Sequence, residues 1–398
     1  MKQYMIRIYQ SLFGSVWKHY PLKMPREITG KDAFFRIPSV LREAGRTNPL
    51  VVTGKRVASG DDFRQIASAF PSYHVFDQVE SDPSIATALK IAKAYQEHRC
   101  DCFLAIGGGS YMDAAKAAAA HIANPEKSLY TMNGIMKVRK KTPFFVAVPT
   151  TAGTGSEATL TSVVIDEKTG HKVTINDPVL VPDVAVLDPA LTLSLPCNLT
   201  VQTGMDALTH AIEAYLNRPY CTKKTTTLCV EAIREILLNL PKAYGDPLDY
   251  EARSNMLHAS FKAGKAFTVA CVGYVHGLAH AIGARYHMPH GLTIAILLPT
   301  VLSAYGEKVY VPLGELARHI GLASGSDEEC AKAFITHLRK MNREMGIPEG
   351  ISVLREEDFP QIAAYCNQEV IPLYPVPVLF HEKELTEILR KVRMLGVS

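Results

Sequence analysis

Between residues 49 and 187 the chain alternates short apolar runs with segments of helical period, and this alternation limits its fold more than any other feature. PLVVTG (49–54), YHVF (73–76), CFLAIGGG (102–109) and FFVAVPT (144–150) have the length and composition of strands. The stretches 84–98 and 113–122 between them have helical spacing. Strands separated by helices of this length favour a parallel sheet covered on both faces. VAVLD (184–188) reads as its last strand, and DPALTLSLPCNLT (188–200), with two prolines, reads as a linker. Beyond it the strand-like runs stop, and 204–216, 225–240, 250–267, 327–345 and 383–395 carry 3.6-residue apolar spacing. The expected architecture is an α/β domain over residues 1–190 and an all-α domain over 191–398.

A chain of 398 residues exceeds the usual single domain, and 47% hydrophobic with 21% charged residues excludes disordered, collagenous and coiled-coil classes. Lys and Arg number 43 against 39 acidic residues, a net charge of +4 that is too balanced to predict nucleic-acid binding. The basic run Lys137, Arg139, Lys140 and Lys141 reads as a solvated turn before a strand. MKQYMIRIYQSLFG has no signal-peptide core, and no run reaches the roughly 18 apolar residues of a membrane span, so a cytoplasmic location is expected. The eight cysteines form neither a disulfide framework nor a zinc pattern, and reduced thiols are expected. Cys100 and Cys102 are read as packing residues on one face of a strand.

Four motifs bear on chemistry. Gly107, Gly108, Gly109 and Ser110 join an apolar run to a helix, where bare backbone N–H groups and the helix terminus suit a phosphate, although a tight turn fits the same residues. Asp113 and Lys116 follow, readable as an exposed or helix-end pair. TTAGTGSEAT (150–159) contains Gly-x-Gly-x-x-Ala from Gly153, but TLTSVVID behind it looks like a strand, so it is no dinucleotide fingerprint; its place after a strand still suits a ligand. Asp206 and His210 lie four apart on one helix face, His276 and His280 repeat that spacing, and His290 follows at a Pro–Gly turn. One carboxylate with several imidazoles suits Fe²⁺ or Zn²⁺ in an open catalytic site, though each pair alone also occurs by accident. His287 is read as a solvent or interface residue.

GGGSYMDAAK, VPTTAGTGSEAT, DPALTLSLP, TGMDALTHAIEAY and HGLAHAIGARYHMPHG together resemble the iron-containing (group III) alcohol dehydrogenases in order and spacing, over residues 50 to 299. The resemblance implies an N-terminal α/β nucleotide-binding domain with a parallel sheet, an all-helical C-terminal domain of the dehydroquinate synthase-like fold, and a cleft between them for NAD(P) and metal. It places the family's metal ligands on Asp206, His210, His276 and His290, with His280 as the histidine beside the nicotinamide. It places the pyrophosphate loop on Gly107, Gly108, Gly109 and Ser110 with Asp113 beside it, and the second cofactor loop on Thr150, Thr151, Gly153 and Ser156. Iron is the metal it implies, with Zn²⁺ or Ni²⁺ able to replace it on isolation. The partners it implies are a small alcohol or aldehyde and a homodimer or larger assembly.

Some residues depart from that family's pattern. Tyr111 stands where proline is usual after the glycines, Lys265 replaces an apolar residue, YPVPVLF replaces an Asn-Pro-Arg pattern, and the first 48 residues match poorly. Family members that prefer NAD commonly carry Asp after the first nucleotide-domain strand; Gly54 stands there, followed by Lys55 and Arg56, so NADP is expected, with NAD possible. The chemistry implied is hydride exchange between nicotinamide and a small primary alcohol or aldehyde, with a metal acting as Lewis acid. Dehydroquinate synthase-like lyases share the plan, but the apolar stretches around the histidines suit a small alcohol better than an acidic phosphorylated substrate. Glycerol dehydrogenase-like enzymes and maleylacetate reductases are nearer alternatives.

Overall fold

The computed structural model describes residues 3–168 and 170–396. Along the chain it runs α1 (Gln3–Trp17), β1 (Arg26–Thr29), α2 (Ile37–Glu43), β2 (Pro49–Thr53), α3 (Lys55–Ala58), α4 (Asp61–Ala67), β3 (His74–Phe76), α5 (Ile85–Glu97), β4 (Cys102–Gly107) and α6 (Gly109–Ala123). Then come β5 (Gly134–Ile135), β6 (Phe144–Pro149), β7 (Thr161–Ile165), β8 (Lys172–Asn176), β9 (Val184–Leu187), α7 (Cys197–Leu216), α8 (Lys223–Gly245), α9 (Tyr250–Ala270), α10 (Tyr274–Tyr286) and α11 (His290–Tyr305). The chain closes with α12 (Tyr310–His319), α13 (Asp327–Glu344), α14 (Phe359–Val370) and α15 (Glu382–Leu395).

Two compact units result. The α/β unit holds Pro21–Leu195 and Leu248–Thr268; the helical unit holds the segment up to Tyr20, Pro196–Pro247 and the chain from Val269 onward. Against the division at 190/191 read from the sequence, α1 and most of α9 lie in the opposite unit. Helical period identifies a helix but not its packing partner. α9 sets Leu257 and Phe261 against Ala158, Ala185 and Leu187 of the α/β unit. α1 is pinned inside the helical unit: Arg7 donates to the carbonyls of Val376 and Pro377, Gln10 to those of Pro372 and Tyr374, and Trp17 Nε1 to that of Val269. The unusual YPVPVLF stretch is therefore the seat of α1.

The main sheet has the order β1-β9-β6-β4-β2-β3 and is parallel throughout. Every residue of β2 and β4 is buried, because helices cover both faces; α2 and α4 pack on one, α5 and α6 on the other. A second, three-stranded sheet, β5-β8-β7, lies beyond α6. One side of α6 (Ala114, Ala115, Ala118, Ala119) meets the main sheet and the other (Ala117, Ala120) meets Val164, Val173 and Ile175 of the small one. Only alanine-sized side chains let a helix fit so closely between two sheets, which explains the Ala-rich run. Cys102 joins the cluster on one face of the main sheet and Cys100, which precedes the strand, joins the other, so the two do not share a face as expected.

The helical unit is built from consecutive helices whose apolar faces meet. Among the described residues, one helical stretch, His290–His319, has the length and mean hydropathy (1.3) of a membrane span, but 67% of that window is buried inside the protein, as in a core helix.

Candidate functional site

In the helical unit, Asp206 and His210 come from α7, His276 and His280 from α10, and His290 from α11. His290 does not sit in a turn as expected; Pro289 is the N-cap and His290 opens the helix, a position where proline's fixed φ and missing N–H cost nothing. The helices approach closely at glycines. A Cβ on Gly291 would lie 2.3 Å from the Gln202 carbonyl oxygen of α7, and one on Gly277 would lie 2.8 Å from Val370 of α14.

The close packing brings Asp206, His276 and His290 together, with one ligand-type atom from each within 4.8 Å of the others. Asp206 Oδ1 is 3.5 Å from His276 Nε2 and 3.6 Å from His290 Nε2. Asp206 Oδ1 and His276 Nε2 are buried and neither has a hydrogen-bond partner among the described residues. His210 borders this group: its ring stacks on that of His276 with centroids 4.3 Å apart, and its Nδ1 is 4.0 Å from Asp206 Oδ1. Burial opposes ionisation of Asp206, yet the surrounding histidines His210, His276 and His290 hold its carboxyl below the usual range. Burial likewise disfavours charge on His276, but the carboxylates of Asp206 and Glu213 beside it push it up to about 9. A buried carboxylate oxygen and a facing imidazole nitrogen without hydrogen bonds, with the His290 ring beside them, fit a cation.

Two carboxylates that sequence reading missed orient these rings. Glu213 accepts from the backbone N–H groups of Gly273 (2.8 Å) and Val275 (2.7 Å) and from His276 Nδ1 (2.6 Å). His276 therefore carries its proton on Nδ1 and turns Nε2 toward Asp206. Glu213 lies three residues past His210 on the same face of α7, so the signal was present in TGMDALTHAIEAY. Glu369 of α14 contacts His280 Nδ1 at 2.9 and 3.0 Å, and the His280 ring stacks 5.1 Å from that of His290. Nothing in the sequence joins residues 280 and 369. His287 caps α10 in an exposed, left-handed conformation, away from this cluster.

The glycine loops belong to the α/β unit. β4 ends at Gly107 and α6 opens at Gly109, whose N-cap Gly108 supplies no side-chain bond, so the first backbone N–H groups, Ser110 included, are left without a side-chain cap. Strand register pairs Gly107 with Pro149, and Thr150 N–H donates to the Gly107 carbonyl at 3.0 Å, so the loop holding Thr150, Thr151, Gly153 and Ser156 starts beside the glycines. Asp113 and Lys116 are not the exposed pair expected. Asp113 accepts from Ser156 Oγ (2.7 Å) and Val163 N–H (3.1 Å). Lys116 is fully buried and donates to the carbonyls of Ser156 (2.6 Å), Thr159 (2.8 Å) and Thr161 (3.0 Å). Both residues lie on the side of α6 that meets the second loop, and they tie it down.

Strand order reverses between β2 and β4, where open α/β sheets receive ligands at the strands' C-terminal ends. Gly54 follows β2 there, and Tyr111 spans the gap. A Cβ on Gly107 would lie 2.3 Å from the Tyr111 ring, and one on Gly54 would lie 2.6 Å from its hydroxyl. Lys265, the other departure, pairs with Glu27 at 2.9 Å inside the α/β unit.

A doubly covered parallel sheet with glycine loops at its switch point, and a helical unit with a buried carboxylate–imidazole cluster, define a nucleotide-linked metalloenzyme. Residues 25–189 match the iron-containing alcohol dehydrogenases and residues 200–393 match the C-terminal region of the same family. Over 376 residues the chain is 34% identical to alcohol dehydrogenase 4 of Saccharomyces cerevisiae, covering 92% of this chain and 96% of that protein. Over 271 residues it is 43% identical to the probable alcohol dehydrogenase EutG of Salmonella typhimurium, covering 68% of this chain but 65% of that protein. A crystal structure of 1,3-propanediol oxidoreductase superposes with a TM-score of 0.88 at 31% identity, over 93% of this chain and 98% of that one. The chain belongs to the iron-containing alcohol dehydrogenase family and is an NAD(P)-linked oxidoreductase.

Proposed function

We propose that Asp206, His210, His276 and His290 hold one divalent metal, natively iron, and that the enzyme exchanges hydride between NADP(H) and a small primary alcohol or aldehyde. The observation that carries this reading is the buried Asp206 Oδ1 and His276 Nε2, 3.5 Å apart and without hydrogen bonds, beside His290. A bound divalent metal would supply Lewis-acid stabilisation of an alkoxide or polarisation of a carbonyl. The rest is done by protein side chains. Glu213 fixes the tautomer of His276. Glu369 accepts a hydrogen bond from the Nδ1–H of His280, which leaves Nε2 as the basic nitrogen, suited to accept the alcohol proton and pass it to solvent.

The cofactor reading rests on the α/β unit. Gly108, Gly109 and Ser110 offer backbone N–H groups for the pyrophosphate, and Thr150, Thr151, Gly153 and Ser156 form the adjoining wall. Asp113 acts indirectly, through Ser156. Gly54 brings no carboxylate to repel a 2′-phosphate, and the exposed Lys55 and Arg56 begin α3 directly after it. A cytoplasmic homodimer or larger assembly completes the proposal. Metal analysis with side-by-side NADPH and NADH kinetics tests it: about one metal per chain, lost in His276→Ala, and a higher kcat/KM with NADPH are expected. Full metal content in that variant would overturn the ligand assignment, and a clear preference for NADH would overturn the cofactor choice.

A further inference from the structure

A cavity of about 370 Å³ in the α/β unit has no part in this chemistry; Arg46, Tyr95, Asp101, Lys141 and Asp183 are among its lining residues. Asp101 precedes β4, Phe144 opens β6 and Asp183 precedes β9, so the cavity lies at the N-terminal end of the sheet. The glycine loops occupy the other end, a strand length of roughly 17 Å away.

The cavity's carboxylates and cations differ in one respect. Asp101 accepts from Thr47 N–H (2.8 Å), Thr47 Oγ1 (3.3 Å) and Asn48 N–H (3.2 Å), and Asp183 accepts from Phe145 N–H (2.9 Å) and pairs with Lys23. Both acids are thus occupied by the protein itself. The cations are not: Arg46 Nε is buried without an acceptor, and its guanidinium packs 5.7 Å above the Phe144 ring. Among the described residues neither Arg46 nor Lys141 forms an ion pair, whereas the neighbouring Lys140 is held by Glu126 at 3.0 Å. The basic run that reads as a uniformly solvated turn is therefore divided: Lys140 is paired with Glu126, while the exposed Lys141 lines the cavity. Tyr95, stacked on Phe103 with centroids 4.7 Å apart, and the side chains of Ile122 and Pro143 supply an apolar wall.

We propose that this cavity binds a small organic anion, a carboxylate or phosphate ester on a flat apolar body. The anionic group is held by Arg46 and Lys141, and the body lies against Tyr95, Ile122 and Pro143. A guanidinium matches either anion with two parallel hydrogen bonds, a buried N–H without an acceptor favours any ligand that supplies one, and the volume is that of a small-molecule site.

Isothermal titration of the full-length, metal-loaded enzyme in saturating NADPH, with benzoate and with phenyl phosphate as probes, tests this. At least one probe should bind with one equivalent per chain while the cofactor is present, and Arg46→Met should weaken it by about tenfold or more. Lys141→Met, at an exposed position, should weaken it as well and serves if the first variant fails to fold. Tighter binding of phenyl phosphate would identify a phosphate site, and tighter binding of benzoate a carboxylate site. Absence of binding by both probes, equal affinity in both variants, or competition with NADPH would overturn the proposal.

Discussion

His276 shows how little of a candidate metal ligand's orientation lies in its own position: the ring is set by Glu213, 63 residues earlier in the chain. Replacing Glu213 with Gln keeps the shape but weakens the acceptor, and metal affinity measured by competition with a chelator should fall by about 10–100-fold. Removing the imidazole of His280 should lower kcat by about 10²–10⁴-fold with metal content unchanged; loss of metal in His280→Ala would make it a ligand. Glu157 offers a pH test. It is buried at 1% exposure, and burial pushes its carboxyl up to about 7. Between pH 4.5 and 7 the folded protein keeps a proton that the unfolded chain has released, so stability falls as pH rises through that window. The fall amounts to at most about 3 kcal/mol. Glu157→Gln should flatten it, as denaturant unfolding at pH 5 and 7.5 would show. The i, i+4 spacings of Asp206 with His210 and of His276 with His280 were legible because helix geometry alone fixes them. The His280–Glu369 contact was not, since only the packing of α10 on α14 creates it.

Among the elements, α11 is held to α7 without room for a methyl group. Gly291→Ala should force the two helices apart, lowering the melting temperature by several degrees and weakening metal binding together; a variant with unchanged melting and metal content would show that the contact carries no load. Strands β2, β4, β6 and β9 were readable because burial on both faces demands an uninterrupted apolar run. β1 was not, as Arg26–Thr29 is short and mostly exposed, and it gains its place by pairing with β9. β5 has only two residues and no pattern to read. α1 has an apolar period, but Tyr4, Met5, Leu12 and Val16 on it are exposed, so the period does not name its buried face; the bonds of Arg7 and Gln10 do.

At the scale of the whole molecule, the chain leaves the α/β unit at Leu195, returns for Leu248–Thr268 and leaves again. A fragment of residues 21–195 therefore lacks the side chains that cover Ala158, Ala185 and Leu187, and it should expose apolar surface, bind a hydrophobic dye and aggregate. A fragment that stays monomeric and unfolds cooperatively would contradict this. In solution the intact enzyme is expected to be a dimer or larger, which light scattering will show. The same crossing has a consequence for synthesis on the ribosome. The first unit cannot close when its last strand emerges; it must wait for the residues up to Thr268, which at about 5–20 residues per second is a delay of several seconds. During that interval the nascent chain presents an open apolar face while helices of the other unit are already appearing. Rare codons placed within residues 196–268 would lengthen the wait and raise the demand for chaperones, whereas the same codons after Thr268 would not.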